Sequence, residues 1–117
     1  MLDPVYIDIH IHTSENPNSP NEHYDVGKLY EEIEKNAQGA EAIISLTDHN
    51  VINKKAYMDA AALGNTRVHL VLGAELHINS FQNAPAYHCH MLINSPINES
   101  VIDDINLKLE ELLENPL

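Results

Sequence analysis

The sequence predicts an α/β fold built on a mainly parallel sheet. Three observations carry this. Short apolar runs and amphipathic stretches follow one another in the order β-α-β-α-β-β-α. Turn residues separate them. The amphipathic stretches keep their apolar residues on one helical face. Strands alternating with helices place helices outside a parallel sheet, as an open sheet or as part of a barrel. At 117 residues the chain is one domain, 1–117, long enough to bury a core.

The first strand is expected over Val5–His12, where Ile7, Ile9 and Ile11 alternate with Asp8, His10 and His12. Side chains alternate sides along a strand, so a regular strand would show three isoleucines to the core and three polar groups to the other face. A polar loop rich in Asn and Pro follows. Asp25 suits an N-cap for a helix from Val26 to Gln38, stopped by Gly39. There Val26, Leu29, Tyr30, Ile33 and Ala37 share a face. The apolar run "AIISL" reads as a buried strand ending at "TDHN". Residues Asn53 to Leu63 suit a helix stopped by Gly64-Asn65. Val68–Ile78 and Ala86–Ile93 read as strands three and four. Asn98 or Ser100 can cap a last helix, with Val101, Ile105, Leu109 and Leu112 on one face and Pro116 after its end.

Six Lys and Arg against 18 Asp and Glu give a formal charge of −12, which argues against a non-specific nucleic-acid surface. It leaves room for a nucleotide held through divalent ions. No long apolar run predicts a membrane span, and no secretory leader is expected. Cys89 is the single cysteine, so an intracellular, cytoplasmic setting is expected. It alternates with His88 and His90, which makes it a small buried hydrophobe.

Histidine is the unusual count, at 8, and its placement carries the information. His10 and His12 fall at the end of strand one, Asp48 and His49 at the end of strand two, Glu75 and His77 near the end of strand three, and His88 and His90 on strand four. His69 sits at a strand start and reads as structural. Sites in parallel α/β folds form at the C-terminal strand ends. An H-x-H pair on a strand projects both rings to one side. A glutamate can bridge two ions, and mixed imidazole and carboxylate ligands suit Zn, Mn or Fe. Each piece alone is unspecific: an H-x-H pair can be structural, and Asp48 can cap a turn. Four strands delivering such groups to one rim point to a metal site.

These residues resemble the PHP family, named for polymerase and histidinol phosphatase. "DIHIHTS" resembles its first motif, "LTDHN" its second, "GAE" the glutamate of its third, and "HCHMLI" the histidine strand that follows. The order and spacing match along most of the chain. The resemblance implies part of a distorted (β/α)7 TIM-like barrel. It implies two or three divalent ions and phosphoester hydrolysis by a metal-activated water. By position, His10 and His12 would bind one ion, Glu75 would bridge two, His49 would serve a third position, and His90 would be the next ligand. His88 is the alternative to His90. His49 and Glu75 would take part in the chemistry. Asp8 and Asp48 would orient neighbouring histidines. A further ligand soon after the first motif is matched best by His23, with Glu15, Glu22 and Asp25 also near in sequence.

The family's later histidine and final Asp-x-His have no counterpart after His90. The chain is therefore expected to be the N-terminal part of a longer protein, or to cover its open sheet edge by oligomerising. The leading functional expectation is a phosphoesterase acting on a small phosphomonoester, a nucleotide or a nucleic-acid end, with nucleic acid reached through additional domains. The alternatives are a metal-binding structural or regulatory module without turnover, and an amidohydrolase-like metal hydrolase.

Overall fold

A computed structural model describes residues 4–14, 21–78 and 87–114. The elements are β1 (Val5–Ile11), α1 (Val26–Ala37), β2 (Glu41–Leu46), α2 (Lys54–Ala62), β3 (Val68–Ile78), β4 (Tyr87–Ile93) and α3 (Glu99–Glu114). The expected order of elements is therefore present. The expected first residue of strand four, Ala86, and Pro116 lie outside the described residues.

Local chemistry places the helix ends. Asp25 accepts the Lys28 N–H at 3.0 Å and starts α1. Gln38 and Gly39 leave it through positive φ angles of 52° and 87°. Asn53 caps α2 by accepting the Ala56 N–H. Asn98, rather than Ser100, caps α3, accepting the Val101 N–H at 2.9 Å.

The four strands form one sheet in the order β1-β2-β3-β4. β1 with β2 and β2 with β3 are parallel, but β3 with β4 is antiparallel. The expectation of a mainly parallel sheet is corrected to a mixed one. Only residues 79–86 join β3 to β4, and a parallel return needs a crossover of about a dozen residues or more. The sheet is strongly curled. Three strand spacings span roughly 14 Å in a flat sheet. Yet the rings of His10 on the first strand and His90 on the fourth lie 4.5 Å apart, centroid to centroid.

The core fills the space between one sheet face and the helices. Ile44, Leu46 and Leu72 from the sheet meet Ile33, Tyr57 and Ile102 from the three helices, all buried. Asn106 ties α3 to the loop before α2, its side chain exchanging two hydrogen bonds with the Ile52 backbone. Gly73 is required by crowding at the β3–β4 junction. A Cβ there would stand 2.5 Å from Ser45 Oγ and 2.8 Å from the Met91 carbonyl oxygen.

The isoleucine face of β1 is not the uniform core surface expected. Asp8 pairs with Ile44 and Ile11 with Leu46, so β1 uses three residues where β2 uses two. This bulge changes the facing of everything after it. Asp8 and Ile11 both lie on the helix side, and Ile11 is 8% exposed. Ile7 lies on the opposite, concave face and is 62% exposed. His10 and His12, flanking Ile11, turn onto that concave face. Asp8 supports the bulge by accepting the His10 backbone N–H at 3.1 Å. Thr47 does so by donating to the Ile9 carbonyl at 3.0 Å.

Candidate metal centre

The concave face is where the polar residues meet. Three devices place Glu75 at its base. The Tyr57 hydroxyl sits buried where β2 and β3 separate. It accepts from the N–H groups of Leu46 and Gly73, at 3.0 and 3.1 Å, and lies 2.9 Å from the Val71 carbonyl oxygen. Burial pushes its phenol up to about 12, so it remains a protonated donor. Beyond the gap the strands rejoin: Glu75 N–H donates to the Asp48 carbonyl and Asn50 N–H to the Glu75 carbonyl. Asn50, with a φ of 59°, then takes the His77 backbone N–H on its side-chain oxygen at 3.0 Å. Asn tolerates this left-handed conformation better than most residues.

Six imidazoles surround the Glu75 carboxylate, whose side chain is 6% exposed. His10 Nε2 and His90 Nε2 lie 3.2 and 3.3 Å from Oε1, and His88 Nδ1 lies 4.0 Å from it. His12 Nε2, His49 Nδ1 and His77 Nε2 lie 3.2, 3.1 and 3.7 Å from Oε2. The rings form an unbroken series of contacts, His90–His10–His12–His49–His77–His88. The antiparallel register sets its last part, because Glu75 pairs with His90 and His77 with His88.

Among the described residues, two groups have the closeness of metal ligands. The ligand atoms of His10, His12 and Glu75 lie within 4.8 Å of one another, and so do those of His49, Glu75 and His77. Glu75 belongs to both, so its two oxygens can bridge two ions. The residues fit such ions on a second ground. Glu75 Oε2 and His12 Nε2 are buried and neither has a hydrogen-bond partner. Buried polar atoms are nearly always paired, and a cation among these lone pairs would satisfy both.

Electrostatics agree. Burial raises the Glu75 carboxyl, but the His90 hydrogen bond and the nearby His12, His49 and His10 outweigh it and hold the group below its usual value of 4.5. His77 is held below its usual 6.5 by burial, then by His88 and His49, against the pull of Glu75. A carboxylate that stays ionised and an imidazole that stays neutral are the forms that bind metals.

The structure thus brings together His10, His12, His49, Glu75 and His90 from the expected ligand set. His23 is exposed in the turn before α1. It is absent from the contacts of Glu75, and its backbone N–H donates to Asn21. Glu22 is exposed, Asp25 is the α1 cap, and Glu15 lies outside the described residues. Asp48 orients a loop rather than a ring. It is fully buried and accepts from Thr13 N–H, Thr13 hydroxyl and Ser14 N–H at 2.6, 2.5 and 2.9 Å. Asn53 continues this network by donating to Thr13 Oγ1 and the Asn21 carbonyl. Cys89 pairs with Leu76 and shares its face, away from the histidines. His69 lies apart from the cluster, 3.7 Å from Glu41. His77 was not among the ligands implied by the family resemblance. Its signal was Glu75-x-His77, the same two-residue spacing as His10-x-His12.

No protein-family model matches the chain, and neither the curated proteins nor the solved structures include a match to it. Among the described residues, no helix is long and apolar enough to cross a membrane.

Proposed function

We propose that this chain carries the metal site of a phosphoesterase of the PHP type, acting on a nucleotide, a nucleic-acid end or a small phosphomonoester. The observation that supports it most is the buried Glu75 carboxylate ringed by six imidazoles. His10, His12 and His90 would hold one ion with Glu75, and His49 would hold another. The donor set suits Zn, Mn or Fe. When bound, divalent ions would lower the pKa of water and offset negative charge on a phosphate ester.

The protein's own groups do the remaining work. Glu75, the residue common to both groups of imidazoles, would hold ions at both positions. Asp48, through Thr13 and Ser14, fixes the turn that follows the H-x-H strand. The mouth is open above Glu75: the His10 and His88 side chains are 56% and 54% exposed. A phosphate ester can approach from that side.

The test is to load the purified chain with Mn or Zn, and to measure bound metal and hydrolysis of a phosphomonoester and a phosphodiester. Metal-dependent hydrolysis, lost in His10→Ala and His12→Ala, is expected. Tight binding with no turnover of either ester would favour a metal-binding module. Turnover of an amide alone would favour an amidohydrolase. A chain that binds no metal would overturn the proposal.

A further inference from the structure

We infer that His77 is a ligand of a second ion position, shared with His49 and Glu75, and that His88 is the positioning residue that holds its ring. This rests on the metal-centre reading above and extends it, because it assigns a further ligand on β3 and a positioning residue on β4.

The argument starts from nitrogen lone pairs. His49 Nδ1 faces both Glu75 Oε2, at 3.1 Å, and His77 Nε2, which it meets at short range. A single proton on Nδ1 can serve only one of them. His77 Nε2 stands 3.7 Å from the same Oε2, an oxygen that is buried and has no hydrogen-bond partner. Two imidazole nitrogens and one carboxylate oxygen therefore converge on a shared point without enough protons to pair them. A borderline divalent cation with imidazole and carboxylate preferences, such as Zn or Co, resolves that convergence.

The backbone is set for it. The Asn50 side chain fixes the strand at His77 by accepting its N–H. The His77 ring then lies between two others: edge-on to His49, and stacked on His88 at 4.0 Å with planes 12° apart. His77 Nε2 lies toward Glu75 Oε2, whereas His88 Nδ1 is 4.0 Å from the other oxygen, Oε1, so the stacked His88 is better placed to orient His77 than to bind the same ion. Residues that orient a ligand ring typically change metal affinity by about 10–100-fold when removed.

The experiment is a titration of the metal-free chain with Co alone. It is followed by visible absorption and checked by direct metal analysis against a competing chelator. Two equivalents are expected for the unaltered chain and one for His77→Ala. His77→Gln, which keeps a side chain of similar length, is expected to match His77→Ala and guards against misfolding, with circular dichroism as the check. His88→Ala is expected to weaken the second equivalent at least about tenfold. His88→Phe, which preserves stacking, is expected to restore it. Retention of two equivalents at unchanged affinity in both His77 variants overturns the ligand assignment, as does a single equivalent in the unaltered chain. Equal weakening in His88→Phe and His88→Ala overturns the stacking role. Two ions without phosphoester hydrolysis would support this inference while defeating the phosphoesterase. Hydrolysis with one ion would do the reverse.

Discussion

Tyr57→Phe removes one oxygen from the point where β2 and β3 part. The hydroxyl accepts from two backbone N–H groups, Leu46 and Gly73, and lies within hydrogen-bonding distance of the Val71 and Leu46 carbonyls. Tyr57 and its surroundings are fully buried, so water cannot substitute without opening the core. An unsatisfied buried amide costs about 1–3 kcal/mol. Two stranded donors with partial relaxation give roughly 2–4 kcal/mol. The phenylalanine ring keeps the packing, so the cavity left is one atom and adds little. In a chain of this size the change lowers Tm by roughly 10 °C. The assay is urea unfolding with thermal melts, in chelator and again with saturating Zn. Loss of the bridge also frees the strand that carries Glu75. Metal affinity should therefore fall along with stability. A destabilisation below about 1 kcal/mol with unchanged Zn affinity would refute the view that this hydroxyl holds the strands at the site.

Three further outcomes are expected. Asp48→Ala removes the acceptor of the buried Thr13 N–H and of the half-buried Ser14 N–H and should cost about 2–4 kcal/mol in urea unfolding; a loss under 1 kcal/mol would contradict the network. Gly73→Ala drives a methyl into Ser45 Oγ and the Met91 carbonyl and should cost about 1–3 kcal/mol, with Gly73→Ser no better; an unchanged melt would show that the β3–β4 junction yields easily. In the metal-free chain, stability should fall on acidification. The folded-state value of His77 lies below 6.5, so beneath that pH the unfolded chain takes up a proton the folded one resists. Glu75 is depressed below 4.5, so its contribution is kept above that value and lost as pH falls through its folded one. Urea midpoints that rise between pH 6.5 and 5 would contradict the first window, and His77→Gln should remove that step.

What could be read from the residues alone follows the strength of local signals. Val68–Ile78 has the same limits as a sequence pattern and as a strand, because eleven residues of apolar periodicity end in turn formers. Asp25 announces its helix through a short acceptor side chain, whereas Asn53, read as the first helical residue, is the cap that precedes α2. The direction of β4 was not carried by its alternation, which is the same for either sense. The length of the link before it was the usable signal. The bulge in β1 was hidden for a different reason. It depends on Thr47, just past the end of β2, reaching the Ile9 carbonyl, and strict alternation in "IDIHI" gives no hint of a skipped pairing. His10, His12, His49, Glu75 and His90 are legible as candidate ligands because His and carboxylate residues recur on or just after each strand, although Glu75 and His90 lie within β3 and β4, opposite one another, rather than at strand ends. His23 was drawn in by sequence proximity alone, and its turn leaves the side chain in solvent. His77 stands beside Glu75 on the third strand in the sequence, but the family motif matched there, "GAE", ends at Glu75 and gives it no role.

The meeting of His10 and His90 has a consequence for the chain as a moving object. These residues stand on the two outermost strands of the sheet, which among the described residues lack a neighbour on one side, and such strands fray first. An ion gripped by both would act as a buckle across the free margins of the sheet. Amide exchange in β1 and β4 would then be governed by how long the ion stays, while β2 and β3, held by Tyr57 and the core beneath them, would exchange at a rate indifferent to it.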